Sequence, residues 1–153
     1  MHETADSPPG HAACAADFAC LQRLLQMLDG YCALHAVPAE ARHDLHLIVE
    51  EACVNIIHYA YPAGAPGPIR LQVQARVRDA RPLVEVVIED EGVAFDLFSL
   101  PEPDRGRPLE ELPAGGFGVT LIRRLSDRLH HARHPDGGNV LTVTKFLPAS
   151  AAT

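Results

Sequence analysis

The sequence predicts an α+β two-layer sandwich, with helices on one face of a mixed, mostly antiparallel β-sheet. Helical patterns occupy the first part of the 153-residue chain and strand patterns follow them, so the elements segregate and do not alternate. Two alternating apolar–polar segments joined by a short turn are typical of an antiparallel hairpin. A chain of this length forms one compact core, so we expect a single domain over residues 11–148, with a flexible tail at residues 1–10 and a short tail at 149–153.

The first helix is predicted between Asp17 and about Leu34. Asp17 is a candidate N-cap, and apolar residues recur after it at steps of three and four, the period of an amphipathic helix. Residues 11–16, just before it, are ambiguous, with a short edge strand as one interpretation. Pro38 opens a second helix that runs to about Tyr59 and also carries an apolar stripe.

Two strands form the predicted hairpin, at residues 69–77 and 83–89, after a loop rich in proline and glycine. The long segment 93–115 has no steady period and contains several prolines. A loop of this length in a small domain is typical of a functional lid or a disordered segment. A third helix is predicted over about residues 117–129, and a last strand over residues 140–147.

The composition argues against several classes of protein. A formal net charge of −7 disfavours a general nucleic-acid binder, which is usually basic. No apolar run of about 18 residues is present to span a membrane, and the polar N-terminus does not resemble a signal peptide, so a cytoplasmic protein is expected. Lys145 is the single lysine and no glycine-rich loop ends on it, which argues against a P-loop or protein-kinase-like site.

The cysteines form no C-x-x-C pair, and the sequence favours free buried thiols over disulfides or metal ligands. They are Cys14, Cys20, Cys32 and Cys53. Three histidines that follow the third predicted helix, His130, His131 and His134, are compatible with a metal site. The more common interpretation of such a group is solvated histidines, or histidines that interact favourably with a helix C-terminus.

Glu51 and Asn55 are the first candidate site residues. A spacing of four places both side chains on one face of the second helix, one turn apart and beside its apolar stripe. A carboxylate there can take a proton or orient a nucleophile, and an amide oxygen is a suitable Mg²⁺ ligand when phosphates supply the other oxygens. The alternative is that both are solvated surface residues.

Two glycine-containing turns are the second and third candidates. Asp90 and Gly92 follow the second strand, where glycine permits close approach of a ligand and a buried carboxylate can accept a hydrogen bond from an amine such as that of adenine. Gly116 and Gly118 lie before the third helix, whose N-terminal N–H groups favour an anion such as phosphate. The alternatives are a simple turn after a strand and a flexible linker that starts a helix.

The three segments together, in this order, resemble the GHKL-type ATP-binding fold shared by gyrase, histidine kinases and MutL. Within it the chain is most similar to the anti-sigma-factor serine/threonine kinases of bacterial partner switching. Their members read E-A-x-x-N-x-x-x-H-A-Y, then D-x-G-x-G-F-D and, after a proline-rich lid, G-G-x-G-L-x-L-I. This chain reads EACVNIIHYAY at residues 51–61, DEGVAFD at 90–96 and GGFGVTLI at 115–122. The resemblance covers roughly residues 17–147.

The resemblance implies a serine/threonine protein kinase that uses ATP and Mg²⁺. It implies Glu51 as the general base, and Asn55 as both the Mg²⁺ ligand and an ATP contact. The other implied ATP-binding residues are Asp90, Gly92, Ala94, Gly116, Phe117, Gly118, Val119 and Thr142, with Thr144 as an alternative to Thr142.

The resemblance also implies partners. The protein substrate would be a STAS-type anti-anti-sigma antagonist, and the kinase would bind a sigma factor or another regulatory target when the antagonist is phosphorylated. A homodimer is expected, without direct contact to nucleic acid or membrane. The competing interpretation is a nucleotide-dependent binding protein of the same fold without kinase activity. Two departures keep it open: Ala94 replaces a motif glycine, and Tyr59 replaces the motif histidine, with His58 one place early.

Overall fold

The computed structural model describes residues 6–93 and 116–148. The helices are α1 (Phe18–Leu34), α2 (Ala39–Tyr59) and α3 (Gly116–Leu125). The strands are β1 (Gly10–Ala15), β2 (Pro68–Arg78), β3 (Arg81–Asp90), β4 (Arg128–Arg133) and β5 (Asn139–Phe146). Most of the predicted lid, including Ala94, and the predicted tail at 149–153 lie outside the described residues.

The strands form a five-stranded sheet in the order β1-β2-β3-β5-β4. The prediction of an α+β two-layer sandwich is confirmed, because α1 packs on β1 and β2 while α2 packs on β3 and β5. The predicted β2–β3 hairpin is also confirmed, and it places β3 at the centre of the sheet. Within the described residues every neighbouring strand pair is antiparallel, whereas the sequence predicts a mixed sheet.

The core lies between the helices and one side of the sheet. Side chains alternate along each strand, so every second residue faces the helices. On the central hairpin, Leu71 and Ile88 are opposite each other and both are buried on that side. The largest fully buried side chains include Leu24, Leu28, Leu45, Ile48, Ile69, Leu71, Ile88 and Ile122. In the described part of the chain, no helix has both the length and the apolar character needed to cross a membrane.

The other side of the sheet is open and carries charged pairs. Arg70 lies directly opposite Glu89 on the neighbouring strand, with 3.5 Å between the Nε and carboxylate atoms. Arg76 forms a diagonal pair across the same two strands, with its Nε 3.4 Å from the Glu85 carboxylate. Partly exposed pairs of this kind contribute about 0–1 kcal/mol each, so they shape the surface more than they stabilise the fold.

The third helix ends earlier than predicted, at Leu125, and the strand β4 follows it. Asp127 turns the chain, because its N–H donates to the Thr144 carbonyl at 3.0 Å and its carboxylate accepts from the Phe146 N–H at 2.7 Å. Both partners lie on β5, far along the sequence. The helical period of apolar residues continues through Leu129, and for this reason the sequence predicts a helix as far as that residue. The prediction is wrong for residues 126–129.

Lys145, on β5, contacts both α2 and α3. Its Nζ lies 2.9 Å from the Asp44 carboxylate and donates at 2.8 Å to the Leu125 carbonyl at the end of α3. Both charged side chains are mostly buried. We expect Lys145→Met to lower the free energy of unfolding by about 3 kcal/mol, because Asp44 is left as an uncompensated and largely buried charge. Urea denaturation measures the loss.

The matched control for Lys145 is the double variant Lys145→Met/Asp44→Leu, which replaces the charged pair by an apolar pair. Such replacements are often neutral, so the double variant should regain most of the lost stability. A double variant that is no more stable than Lys145→Met would contradict the explanation by an unpaired Asp44 carboxylate.

Residues 6–10, part of the predicted flexible tail, lie against the sheet. Asp6 accepts hydrogen bonds from Arg76 at 3.1 Å and from Arg78 at 3.0 Å. The Ser7 N–H donates to the Ala75 carbonyl at 3.1 Å. These contacts extend the pairing of β1 with β2, which confirms the edge-strand interpretation and moves the start of that strand to Gly10.

The cysteines divide into a disulfide and two free thiols. Cys14 on β1 and Cys20 in the first turn of α1 form a disulfide, with their Cα atoms 5.5 Å apart. The prediction of free thiols is wrong for this pair, because β1 folds back beside α1 and the sequence leaves that contact ambiguous. Cys32 and Cys53 are free and buried, as predicted. Burial raises the pKa of Cys32 to about 11 and that of Cys53 to about 12, so both remain thiols.

Candidate functional site

Three buried polar side chains, Asn55, Asp90 and Asn139, mark a site in the described part of the chain. They come from α2, β3 and β5 and line one cavity between α2 and the sheet. The other lining residues are Ala52, Ile56, Ile88, His131 and Leu141. A largely apolar pocket with a few convergent polar groups is the usual form of a small-molecule site.

Asn139 fixes the orientation of the Asp90 carboxylate. The two residues are directly opposite each other on β5 and β3. Asp90 Oδ1 accepts hydrogen bonds from the Asn139 amide at 3.0 Å and from the Gly92 N–H at 2.8 Å. The Asn139 amide also donates to the Val93 carbonyl at 2.9 Å. Because two donors hold Oδ1, the other oxygen, Oδ2, can accept from a ligand that presents an N–H group.

Asn55 is buried but incompletely hydrogen bonded. It is only 2% exposed, and its Nδ2 atom has no hydrogen-bond partner in the part of the chain that the structure describes. An unsatisfied buried polar group costs about 1–3 kcal/mol, and native structures keep few of them. Since Asn55 lies on the cavity wall with Asp90, a bound ligand is its natural partner.

Glu51 lies one turn before Asn55 on α2 and meets the first turn of α3. A Cβ atom added to Gly118 would lie 2.6 Å from Glu51 Oε2, so a larger residue at this position would displace the carboxylate from where it now lies. Burial, with a smaller contribution from the charge of Glu50, raises the pKa of Glu51 above its ordinary value. A carboxylate with a raised pKa is a stronger proton acceptor.

Glu50 has a different environment from Glu51. Its carboxylate is 41% exposed and lies 3.7 Å from His46 Nε2. His46 in turn lies 3.0 Å from Asp29 on α1. Glu50 therefore belongs to a surface cluster between α1 and α2, and it offers a matched control for Glu51.

The turn that carries Asp90 is packed on the end of α2. A Cβ atom added to Gly92 would overlap the backbone of Ala60, the residue that follows α2. The Val93 N–H donates to the Ala60 carbonyl at 2.9 Å. Gly92 therefore permits close packing of the turn on α2, whereas the sequence suggests close approach to a ligand.

Tyr61 connects the same turn to β2. Its hydroxyl donates to the Pro68 carbonyl at 2.6 Å and accepts from the Glu91 N–H at 2.7 Å. Burial raises the pKa of Tyr61, so the hydroxyl keeps the proton that it donates.

Tyr61→Phe is expected to lower the free energy of unfolding by about 1–2 kcal/mol, because two backbone groups lose a partner. The Glu91 amide should also exchange with solvent about ten times faster, since local opening of the turn becomes easier. Native-state hydrogen exchange measures both effects. An unchanged exchange rate at Glu91 would show that the hydroxyl does not hold the turn.

Thr142 and Thr144, predicted as alternative adenine contacts, do not face the cavity. On β5 the buried residues are Asn139, Leu141 and Val143, so the two threonines between and after them point to the open side of the sheet. Asn139 takes the inward position instead. Sequence patterns place Asn139 in a turn, although its alternation with the two apolar residues already indicates the buried face.

The glycine-rich segment is described only in part. Gly116 and Phe117 are the first residues of α3, and Ala94 lies outside the described residues. Gly118 is buried, and Val119 is 2% exposed, so the Val119 side chain belongs to the core. What this first turn offers to a phosphate is its backbone N–H groups.

The candidate histidine cluster separates in the structure. His130 and His131 are neighbours on β4 and therefore face opposite sides of the sheet; His130 is exposed and His131 lines the cavity. His134 lies in the next turn, where its Nδ1 accepts from the Asp136 N–H at 3.2 Å. Over residues 6–93 and 116–148, no group of three or more potential ligands could hold a metal ion, so a histidine metal site is not supported.

Comparison with curated proteins finds relatives among bacterial protein kinases. The chain is 32% identical over 108 residues to the serine-protein kinase RsbW of Halalkalibacterium halodurans, a match that covers 68% of this chain and 62% of the relative. It is 35% identical over 106 residues to the serine/threonine-protein kinase BtrW of Bordetella bronchiseptica, covering 69% of this chain and 71% of BtrW. The chain thus spans less than two thirds of the RsbW relative.

Two solved structures share the fold. The RsbU and RsbW domains of a Mycobacterium tuberculosis protein match with a TM-score of 0.62 at 18% identity, covering 96% of this chain and 35% of that chain. A chain of the SiaB–SiaC complex from Pseudomonas aeruginosa matches with a TM-score of 0.52 at 17% identity, covering 90% of this chain and 89% of that chain. At these identities the likeness concerns the fold alone.

The family model described as a histidine kinase-like ATPase domain matches residues 14–145, nearly the whole described structure. This match confirms the GHKL-type fold that the three motifs predict. Together with the relatives above, it shows that the chain belongs to the histidine kinase-like ATPase domain family and is related to RsbW within it.

Proposed function

We propose that this chain is an ATP-dependent serine/threonine protein kinase. The proposal depends on one observation: Glu51, Asn55 and Asp90 converge with the first turn of α3 on a single region. The cavity lining combines apolar side chains with the Asp90 carboxylate, a chemistry that suits a purine with an amino group, and the helix N-terminus suits phosphate. The carboxylate of Glu51 lies on the same helix face as Asn55, where it suits a hydroxyl nucleophile.

The adenine of ATP is proposed to enter the cavity, where its amino group donates to Asp90 Oδ2. Support comes from the two donors on Oδ1, Asn139 and the Gly92 N–H, which fix the carboxylate and direct its second oxygen to the ligand. The apolar side chains of the wall would then cover the faces and edges of the base.

Asn55 is proposed to ligate Mg²⁺. The position of Asn55 on the cavity wall, one turn after Glu51, fits this role, because an amide oxygen is a suitable hard ligand for Mg²⁺. When bound, Mg²⁺ neutralises the charge of the transferring phosphoryl group. The backbone N–H groups of residues 116–119 are proposed to hold the phosphates.

Glu51 is proposed as the general base. It would accept the proton of a serine or threonine hydroxyl while the hydroxyl oxygen attacks the γ-phosphorus and ADP departs. Two observations support this role. The raised pKa of Glu51 makes its carboxylate a stronger proton acceptor, and its contact with Gly118 places that carboxylate beside the proposed phosphate site.

The phosphoryl acceptor is proposed to be a STAS-type anti-anti-sigma protein. When that protein is phosphorylated, the kinase would bind a sigma factor or another regulatory target, acting as a homodimer. Supporting this, relatives carry the names serine-protein kinase RsbW and serine/threonine-protein kinase BtrW, and one chain of the SiaB–SiaC complex shares the fold.

A nucleotide-dependent binding protein without kinase activity is the second candidate. The position of the motif histidine favours it, because Tyr59 stands there and the neighbouring His58 turns toward α1. The His58 ring centroid lies 6.2 Å from that of Phe18, at the start of α1.

Two measurements on the wild-type protein discriminate between the candidates. Calorimetry should show Mg²⁺-dependent binding of ATP, and labelled ATP should transfer its γ-phosphate to a serine or threonine of a STAS-type protein from the same organism. Binding without transfer supports the second candidate. No binding at millimolar ATP with Mg²⁺ removes both.

A further inference from the structure

His131 lies on the helix-facing side of the edge strand β4. It is opposite Leu141 of β5, and both residues line the cavity. Its neighbour His130 is exposed on the open side, as alternation along a strand requires. Of these two adjacent histidines, His131 therefore faces the cavity and His130 faces the solvent.

His131 is the lining residue that strand β4 contributes to the cavity. The apolar wall consists of alanine, isoleucine and leucine side chains, and the polar lining residues besides His131 are Asn55, Asp90 and Asn139. A neutral imidazole has one N–H donor and one acceptor, and its flat ring can stack on a base. It can therefore contact a purine by a hydrogen bond or by its face.

We infer that His131 is an adenine-contacting residue that contributes to nucleotide affinity. This inference rests on the proposed function and extends it to a residue outside the three motifs. His131 shares the cavity with Asp90 and Asn139, whereas Glu51 and Gly118 are not among its lining residues. The contact therefore concerns the base and not the transferring phosphoryl group, so substitutions should change nucleotide affinity and KM more than kcat.

The test uses the full chain with His131 replaced by Ala, Phe or Asn, and ADP as the probe. Calorimetry should show ADP binding about five- to tenfold weaker in His131→Ala. His131→Phe should restore affinity if the ring stacks on the base, and His131→Asn should restore it if the contact is a hydrogen bond. The matched control, His130→Ala, should bind ADP as the wild type does, because its side chain faces the other side of the sheet.

The inference is overturned if all three folded His131 variants bind ADP as tightly as the wild type does. It is also overturned if His130→Ala weakens ADP as much as His131→Ala, since the effect would then belong to strand β4 in general. Thermal melting identifies any variant that fails to fold, and the remaining substitutions then decide. A wild-type protein that does not bind ADP would refute the proposed function itself, which separates the two failures.

Discussion

Glu51→Gln is expected to lower phosphoryl transfer by about 10²–10⁴-fold while changing ATP affinity by no more than about threefold. The reason is position. Glu51 lies against Gly118 at the N-terminus of α3, where a phosphate is expected, while the cavity for the base is lined by Asp90 and Asn139. The amide of glutamine keeps the size and hydrogen-bonding reach of the side chain but cannot accept the hydroxyl proton. Single-turnover transfer of labelled phosphate, with calorimetry in parallel, measures the two effects separately.

The control for Glu51 is its neighbour. Glu50 is partly exposed and contacts His46, about 100° around the helix from Glu51, so Glu50→Gln should be nearly silent in both assays. A Glu51→Gln protein that transfers phosphate at close to the wild-type rate would remove Glu51 as the base and favour the binding-protein candidate.

The same residue predicts a pH dependence. A general base must be ionised, and burial raises the pKa of Glu51 above the ordinary value of a glutamate. The transfer rate should therefore rise with pH through that raised pKa and level off above it, because the protonated carboxyl below it cannot accept a proton. In Glu51→Gln the rise of the transfer rate with pH should disappear, as measured by a pH–rate profile. A rise that persists in the variant would show that another group titrates.

Asp90→Asn is expected to lower the affinity for adenine nucleotides by about 100-fold. The variant loses a charge-assisted hydrogen bond and gains a repulsion between two donor groups. The Asn139 amide and the Gly92 N–H both donate to Oδ1. An asparagine at position 90 would keep its oxygen there and turn its NH₂ group toward the cavity. That group would then meet the amino group of adenine, donor against donor.

Inosine nucleotides provide the matched comparison for Asp90→Asn, because they carry a carbonyl where adenine carries its amino group. The preference for ATP over ITP should therefore fall in the variant, as measured by competition in a binding assay. If both nucleotides lose affinity equally, or if thermal melting shows an unfolded variant, Asp90 supports the turn and does not read the base.

The elements with strong local signals are predictable from sequence. Asp17 caps α1, since its Oδ1 accepts from the Cys20 N–H at 2.7 Å, and the alternating segments form the β2–β3 hairpin. Strand β4 is not predictable in this way. It follows the turn at Asp127, which is held by hydrogen bonds to Thr144 and Phe146 of β5. Asp127 and these two residues are too far apart in the sequence for a local pattern to include them together.

The site residues also fall into those that have a local sequence signal and those whose position depends on distant contacts. Glu51 and Asn55 can be predicted because one helix fixes their spacing. Gly118 can be predicted because it belongs to a glycine motif that, together with the other two segments, resembles the family. Asn139 and His131 are harder to predict, because the face of a strand residue depends on where the strand begins. Here the turn before β5 decides it: Gly138 has a φ of +104° and packs on the Asp90 backbone, which places Asn139 beside that residue.

The alternation of the sheet also separates two kinds of evolutionary change. Outward residues of the central hairpin, such as Arg70 and Glu89, sit next to inward ones, such as Ile69 and Asp90, yet they face opposite sides. Charge swaps on the outward side can therefore accumulate without displacing the side chains that line the cavity. The surface charge of the open side can thus change independently of the cavity, because the two sets of side chains share strands but no contacts across the sheet.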